Sequence, residues 1–103
     1  MHCVIFITAS NKIEAEHITA ELLKNKLVAC VNLVDNITSF FWWEGKIDKA
    51  GEVLLVAKSK KTKISKIIKL VKSLHSYEVP EIIALPIIAG EKKYLNWINE
   101  SLR

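Results

Sequence analysis

An extended segment rich in β-branched and aromatic side chains ends in a run of four aromatic residues, Phe40, Phe41, Trp42 and Trp43. The motif Glu44-Gly45-Lys46 follows directly, and its turn chemistry predicts that the chain returns as a long hairpin. Neighbouring strand residues face opposite sides, so one of the two tryptophans is expected in the core. An isolated hairpin is marginal in water and an aromatic edge promotes aggregation, so the four aromatic residues are predicted to form an interface with another chain.

Apolar and β-branched runs predict four strands in the sequence. They cover residues 4–8, residues 29–43 with an interruption at Asp35-Asn36, residues 52–57 and residues 81–88. Residues 48–51 add turn chemistry inside the hairpin. Because Pro86 lacks an N–H group, the last strand is expected at a sheet edge or a bulge, with Leu85 on its buried side.

Apolar residues at helical spacing predict three helices. The first has roughly four turns and carries Ala15, Ile18 and Leu22 on one face. The second is the most regular, with Thr62 as its expected N-cap. Its apolar positions are Ile64, Ile67, Ile68, Val71 and Leu74. The third helix is short and lies within residues 94–102.

The element order is therefore β-α-β-β-α-β-α. Two strand–helix–strand crossovers, right-handed by rule, predict a single α+β domain over residues 1–103 with a ferredoxin-like split βαβ arrangement. We expect one antiparallel sheet with the long hairpin and with the helices on one face.

Composition excludes several classes of protein. Half of the 103 residues are hydrophobic and the net charge is only +4, so disorder is not expected, and the surplus of apolar area in so short a chain favours an oligomer. Two cysteines without a CxxC motif exclude a zinc finger and a disulfide scaffold. The longest apolar stretch, residues 82–89, is shorter than the ~20 residues of a bilayer span, and no signal-peptide pattern is present, so we expect a cytoplasmic protein with no membrane span.

Several spaced blocks of residues together resemble the family of the divalent-cation tolerance protein CutA. The blocks are Ala29-Cys30-Val31-Asn32, Trp42-Trp43-Glu44-Gly45-Lys46, Glu52-Val53-Leu54-Leu55 with Lys58, His75-x-Tyr77-Glu78-x-Pro80-Glu81-Ile82-Ile83 and Tyr94-Leu95-x-Trp97. The resemblance implies a homotrimer of ferredoxin-like subunits whose architecture is similar to that of PII signalling proteins. It also implies tolerance of divalent metals, copper binding in some members, and no established enzymatic reaction.

The strongest group of candidate metal ligands is His75, Glu78 and Glu81, because imidazole and carboxylate together suit Cu(II) or another divalent cation. In copper-binding relatives the resemblance implies a cysteine and two consecutive histidines. Here Ile7 and Leu74 occupy two of those three positions, so binding is expected to be weak, dependent on pH and reduced by His75→Ala. The alternative is a structural His75 that binds free carbonyl groups at a helix end.

A ligand cleft between subunits is the second candidate site. Its predicted lining residues are Asn32, Trp43, Lys58 and Tyr77. Lys58 ends an apolar strand and would contact an anionic ligand, so one alternative is a PII-like sensor of an anionic small molecule. A structural trimeric scaffold is another alternative.

Other residues give weaker signals. The lysines of the second helix are not interleaved with aromatic residues, so they predict a solvated face and no nucleic-acid partner. Cys30 is expected to be an inert strand residue, whereas Cys3, with His2, is expected to be more accessible to soft cations. A hydrolase using His75 and Glu78 would lack a nucleophile, so no catalysis is expected.

Overall fold

The apolar runs and helical patterns form an α+β structure in the computed structural model, which describes all 103 residues. The elements are β1 His2–Ala9, α1 Lys12–Lys24, β2 Cys30–Trp43, β3 Lys46–Lys60, α2 Ile64–Leu74, β4 Ile82–Pro86 and α3 Lys92–Ser101, and a short 3-10 turn at Lys61–Lys63 precedes α2. The predicted element order is confirmed. None of the helices combines the length and the apolar character needed to cross a membrane.

The four strands form one antiparallel sheet in the order β2-β3-β1-β4. Residue Ile5 at the centre of β1 lies between Ala57 of β3 and Ala84 of β4. Helix α1 connects β1 to β2 across β3, and α2 connects β3 to β4 across β1. The expected antiparallel sheet with two crossovers is therefore present, and β4 lies at an edge as Pro86 predicts.

The main core lies between one face of the sheet and the two helices α1 and α2. Alternate residues of β1 and β3 point to this face because the side-chain period of a strand is two. The core includes Cys3, Ile5 and Ile7 of β1, Val53, Leu55 and Ala57 of β3, Ala15, Ile18 and Leu22 of α1, and Ile67 and Val71 of α2. Full burial of each larger aliphatic side chain contributes about 1.5–3 kcal/mol.

Helix α3 covers the opposite face of the sheet. Val31 of β2 packs against the main core, so the adjacent Cys30 faces the other way. The Cys30 Sγ atom lies 3.5 Å from the hydroxyl of Tyr94 on α3, and His2 Nε2 lies 3.0 Å from the Oδ1 atom of Asn99. The expectation that all helices share one face was wrong for α3, because an amphipathic pattern does not reveal which face of a sheet it covers.

The hairpin of β2 and β3 extends well beyond the rest of the sheet. Strand β1 pairs with β3 only over residues 53–60, so residues 37–52, which we call the hairpin arm, have no third strand beside them. A bulge between Val34 and Ile37 bends β2 where the arm begins, at the predicted interruption. The arm turns at Glu44 and Gly45, both with positive φ. The second turn expected at residues 48–51 is absent, because these residues pair continuously with β2.

Three further expectations were wrong. Neither tryptophan lies in the core, since Trp42 is 73% and Trp43 51% exposed on the hairpin arm. Leu85 is 42% exposed because it faces away from α1 and α2. Thr62 is not an N-cap, since it lies within the 3-10 turn and α2 begins after Lys63 without a side-chain cap.

Candidate functional site

His75 follows directly after α2, and its side chain is completely buried. Its Nε2 atom lies 2.7 Å from the carbonyl oxygen of Thr8, and its Nδ1 atom accepts the backbone N–H of Tyr77 at 3.0 Å. The carbonyl can only accept, so Nε2 carries the proton in this arrangement and Nδ1 does not. Both ring nitrogens are thus occupied, and His75 ties β1 to the loop after α2. It binds a carbonyl, as the structural alternative proposed, but that carbonyl belongs to β1.

Glu14 lies beside His75 and joins two loops. Its Oε1 atom accepts the backbone N–H and the hydroxyl of Ser10 at 2.9 and 3.0 Å, and its Oε2 atom accepts the backbone N–H of Ser76 at 2.8 Å. Burial acts to raise the pKa of Glu14, but the hydrogen bonds from Ser10 and Ser76 favour the carboxylate more strongly and lower the pKa to about 2. The loop after α2 is therefore held by an ionised carboxylate.

Tyr77 donates its hydroxyl to the Oε2 atom of Glu52 at 2.9 Å. Glu52 lies at the base of the hairpin arm, opposite Ile37, and is only 8% exposed. Burial, the hydrogen bond to Glu52 and the charges of Glu52 and Glu14 raise the pKa of Tyr77 to about 12. The phenol of Tyr77 therefore remains a donor to Glu52.

The predicted metal ligands do not form a metal site within one chain. The nitrogens of His75 are bonded to Thr8 and Tyr77, whereas Glu78 and Glu81 are exposed. No group of three or more His, Cys, Asp or Glu side chains is placed to hold a metal ion. Within one chain the three residues do not form the expected group, because His75 on this loop is used in internal hydrogen bonds.

The predicted cleft residues also lie apart in one chain. The Lys58 ammonium donates to the Oδ1 atom of Asn32, and this pair lies six residues along β3 from Glu52 and hence from Tyr77. Six strand residues span about 20 Å. Trp43 is opposite Lys46, six residues from Glu52 in the other direction. Within one chain Lys58 therefore contacts Asn32, whereas Trp43 at the end of β2 and Tyr77 on the loop after α2 lie away from this pair.

The expectation of an accessible Cys3 was wrong. Cys3 is buried in β1, where burial raises the pKa of its thiol despite the opposing charge of the terminal ammonium, and the ring of His2 contacts Asn99. Cys30 is partly buried and contacts Tyr94, and this hydrogen bond together with burial raises the pKa of the Tyr94 hydroxyl. The two cysteines, His2 and His75 therefore do not form a site for a soft metal ion.

A polar cleft of about 350 Å³ lies where the hairpin arm meets α1. Its lining residues are Ser10, Asn11, Lys12, Asp35, Asn36, Gly51, Glu52 and Val53. Lys12 Nζ lies 3.4 Å from Asp35 Oδ2 across it. From the sequence, Asp35-Asn36 was interpreted only as a strand interruption. No sequence pattern indicated the roles of Glu14 and Glu52.

The fold and these contacts define a class of small α+β protein: a four-stranded antiparallel sheet with a protruding aromatic hairpin and a loop after α2 that is tied down by His75 and Glu14. Residues 3–101 match the family model described as CutA1 divalent ion tolerance protein. The chain belongs to this family, which is named for tolerance of divalent ions and not for an enzymatic reaction.

Similar proteins agree with this assignment. The divalent-cation tolerance protein CutA of Archaeoglobus fulgidus is 47% identical over 102 residues, which cover 99% of both chains. The chloroplastic protein CutA 1 of Oryza sativa is 41% identical over 100 residues, and the match spans 56% of that longer protein. The solved structure of the periplasmic CutA of Archaeoglobus fulgidus has a TM-score of 0.97 with 100% of both chains covered. That of the Thermus thermophilus protein has a TM-score of 0.96 at 40% identity, with 98% of both chains covered.

Proposed function

We propose that the chain functions as a non-catalytic homotrimer of ferredoxin-like subunits that binds divalent cations weakly at the clefts between subunits. The observation that carries this proposal is the hairpin arm. Phe40, Trp42 and Ile47 on this arm are each at least two-thirds exposed, and the arm has no third strand beside it. Apolar side chains on an unsupported hairpin gain stability only by packing against another surface.

A surface that could receive the arm is the sheet face that carries α3. The part of this face that α3 leaves open carries exposed apolar side chains, among them Val34, Ile83 and Leu85. An arm that packs on the face of a neighbour is a head-to-tail contact, which closes into a ring when the rotation between subunits permits it. Three copies closed in this way bury both surfaces.

The trimer also supplies what one chain lacks for a ligand site. Trp43 and the Lys58–Asn32 pair are far apart in one subunit, and an arm that crosses to a neighbour can place them together. For cation binding, Glu78 and Glu81 supply exposed carboxylates near the edge strand β4. Because the site has so few donors, we expect weak binding. The affinity for Cu(II) should exceed that for Zn(II), as in the usual order of divalent ions.

A cytoplasmic location is part of the proposal, and the two free cysteines support it because a reducing compartment keeps thiols unpaired. A second candidate function, a PII-like sensor of an anionic small molecule, is supported by Lys58, whose ammonium is paired with no carboxylate in the chain.

Two measurements test the proposed function. Light scattering should give a mass of three times 11.7 kDa, and a monomer at micromolar concentration would exclude the trimer. Calorimetric titration with Cu(II) should then show weak binding that Glu78→Gln and Glu81→Gln together reduce. Unchanged heats in the double variant would remove these carboxylates from the site, and binding of an anion in a Lys58-dependent manner would favour the sensor.

A further inference from the structure

The positive charge of the chain is concentrated in one segment. Residues 53–77 contain seven of the 15 basic side chains and none of the 11 acidic ones, so the rest of the chain has a net negative charge. Five of these lysines lie on α2 or on the 3-10 turn that precedes it. They are Lys61, Lys63, Lys66, Lys69 and Lys72. The surface around α2 is therefore strongly basic although the net charge of the whole chain is only +4.

Three of the lysines form a row on the exposed side of α2. Ile67 and Val71 of this helix point into the core. Side chains three or four positions apart share one side of a helix, so Lys66, Lys69 and Lys72 lie together on the side away from the core. Each of the three is exposed, and the other exposed residues of α2 are two serines and one isoleucine. We call these three residues the lysine row.

No carboxylate of the chain balances this charge. The ion pairs of the structure involve Lys12, His75 and Arg103, and none involves a lysine of α2 or of the turn before it. Like charges one turn apart on a helix repel each other. The first turn of α2 has no acidic residue and its N-terminus has no side-chain cap, although the backbone dipole favours negative charge there. The lysines thus oppose the stability of their own helix, and an anionic partner would reduce that cost.

The lysine row lies away from the surfaces that the proposed trimer uses. Helices α1 and α2 cover the sheet face that holds the main core. The hairpin arm and the opposite sheet face, which carries α3, are the surfaces proposed to meet in the trimer. The lysines of α2 all belong to one chain and remain accessible whether or not the trimer forms.

The residues of this surface favour an anionic lipid surface over a nucleic acid. Helix α2 has neither an arginine, which binds phosphate through two parallel hydrogen bonds, nor an aromatic side chain, on which bases stack. Lysine is a point charge that needs only a high density of negative charge nearby. Ile68, next to Lys69, is 36% exposed and gives this surface an apolar contact of the kind that the boundary between headgroups and acyl chains accepts.

We propose that the exposed side of α2 binds the surface of a membrane that contains anionic phospholipids. In this arrangement the lysine row, with Lys61 and Lys63 beside it, lies next to the phosphates of the headgroups. Each lysine near such a surface strengthens binding about fivefold. The attraction is electrostatic and is therefore screened by salt, since the Debye length falls from about 8 Å at physiological ionic strength to about 3 Å at 1 M.

Vesicle sedimentation with the whole protein tests this proposal. The vesicles contain equal parts of phosphatidylglycerol and phosphatidylcholine, and vesicles of phosphatidylcholine alone are the lipid control. One double variant carries Lys66→Gln and Lys69→Gln. The matched control carries Lys92→Gln and Lys93→Gln, which remove the same charge from exposed positions of α3 on the other side of the sheet. Circular dichroism checks that both variants are folded, and light scattering reports their oligomeric state separately.

We expect the wild type to bind the anionic vesicles, to be released at about 1 M salt and not to bind the neutral vesicles. The Lys66→Gln and Lys69→Gln variant should bind about 25-fold more weakly, since it loses two lysines at about fivefold each. The Lys92→Gln and Lys93→Gln variant should change by less than about threefold, because its charges lie away from the lipid.

Three results would overturn the proposal. One is the absence of binding to anionic vesicles by the folded wild-type protein at low salt. Another is an equal loss in the two double variants, which would show that binding follows net charge and not the lysine row. The third uses duplex DNA as a second probe. Binding of DNA that depends on Lys66 and Lys69, without binding to vesicles, would show that the row is a nucleic-acid surface.

Discussion

Glu14 Oε2 accepts the backbone N–H of Ser76 at 2.8 Å, so a side chain of α1 fixes the loop that leaves α2, 62 residues further along the chain. The same carboxylate also accepts two hydrogen bonds from Ser10. Charge-assisted hydrogen bonds of this kind are stronger than neutral ones, and their loss leaves backbone donors without partners. The position of the loop that carries Tyr77 therefore depends on one ionised side chain.

The first prediction concerns this carboxylate and pH. The pKa of Glu14 is lowered to about 2 in the folded chain, against ~4.3 for an unperturbed glutamate. Its contribution to stability is therefore complete above about pH 5 and is lost as the pH falls toward 2. We expect Glu14→Gln to reduce the free energy of unfolding at pH 7 by on the order of 2 kcal/mol, and by much less near pH 2.

Denaturant unfolding from pH 7 to pH 2 measures this effect, with Glu16→Gln, an exposed neighbour on the same helix, as the control. A constant difference between wild type and Glu14→Gln across that range would show that the charge of Glu14 does not stabilise the loop.

Much of the fold follows from local spacing, whereas the contacts of the site do not. Periods of two and 3.6 residues locate the strands and helices, because burial of one face imposes those periods. The hydrogen bond between Tyr77 and Glu52 joins residues 25 positions apart and depends on strand register and loop position together. No pattern of residue types near His75 reveals that Thr8 is its partner, since that partner is a backbone carbonyl. His75 and Tyr77 were therefore named from the sequence, but their hydrogen-bond partners were not.

The second prediction compares the loss of stability caused by leucine-to-alanine substitution at a buried position and at an adjacent exposed position. Leu22 of α1 is fully buried, whereas Leu23 is 43% exposed. We expect Leu22→Ala to cost about 2–5 kcal/mol, since it leaves a cavity in the core, and Leu23→Ala to cost less than about 1 kcal/mol. Denaturant melts of the two variants give the comparison. Equal losses would mean that α1 packs on the sheet through a different face.

The third prediction tests the role of the hairpin arm in assembly. Trp43→Asp places a charge on a surface that the proposed trimer buries, so it should dissociate the assembly or make the protein insoluble. Ile13→Asp is the matched control, because Ile13 is an exposed apolar residue of α1 and does not belong to the arm. Light scattering at several concentrations measures the mass of each variant. Retention of the full mass by Trp43→Asp would exclude Trp43 from the interface.

The fourth prediction concerns the hydrogen bond from Tyr77 to Glu52. Tyr77→Phe removes the side-chain donor to a buried carboxylate and should cost about 1–3 kcal/mol at neutral pH. Because the pKa of Tyr77 is raised to about 12, above ~10 for an unperturbed tyrosine, its contribution is complete below pH 10 and is lost as the pH rises through 12. The wild type should therefore lose stability between pH 10 and 12, and Tyr77→Phe should lose less.

The pKa of Tyr94 is also raised, so Tyr94→Phe is the necessary comparison in the same alkaline unfolding series. If Tyr94→Phe removes the alkaline loss and Tyr77→Phe does not, the contact between Tyr94 and Cys30 governs stability in this range and the bond to Glu52 does not.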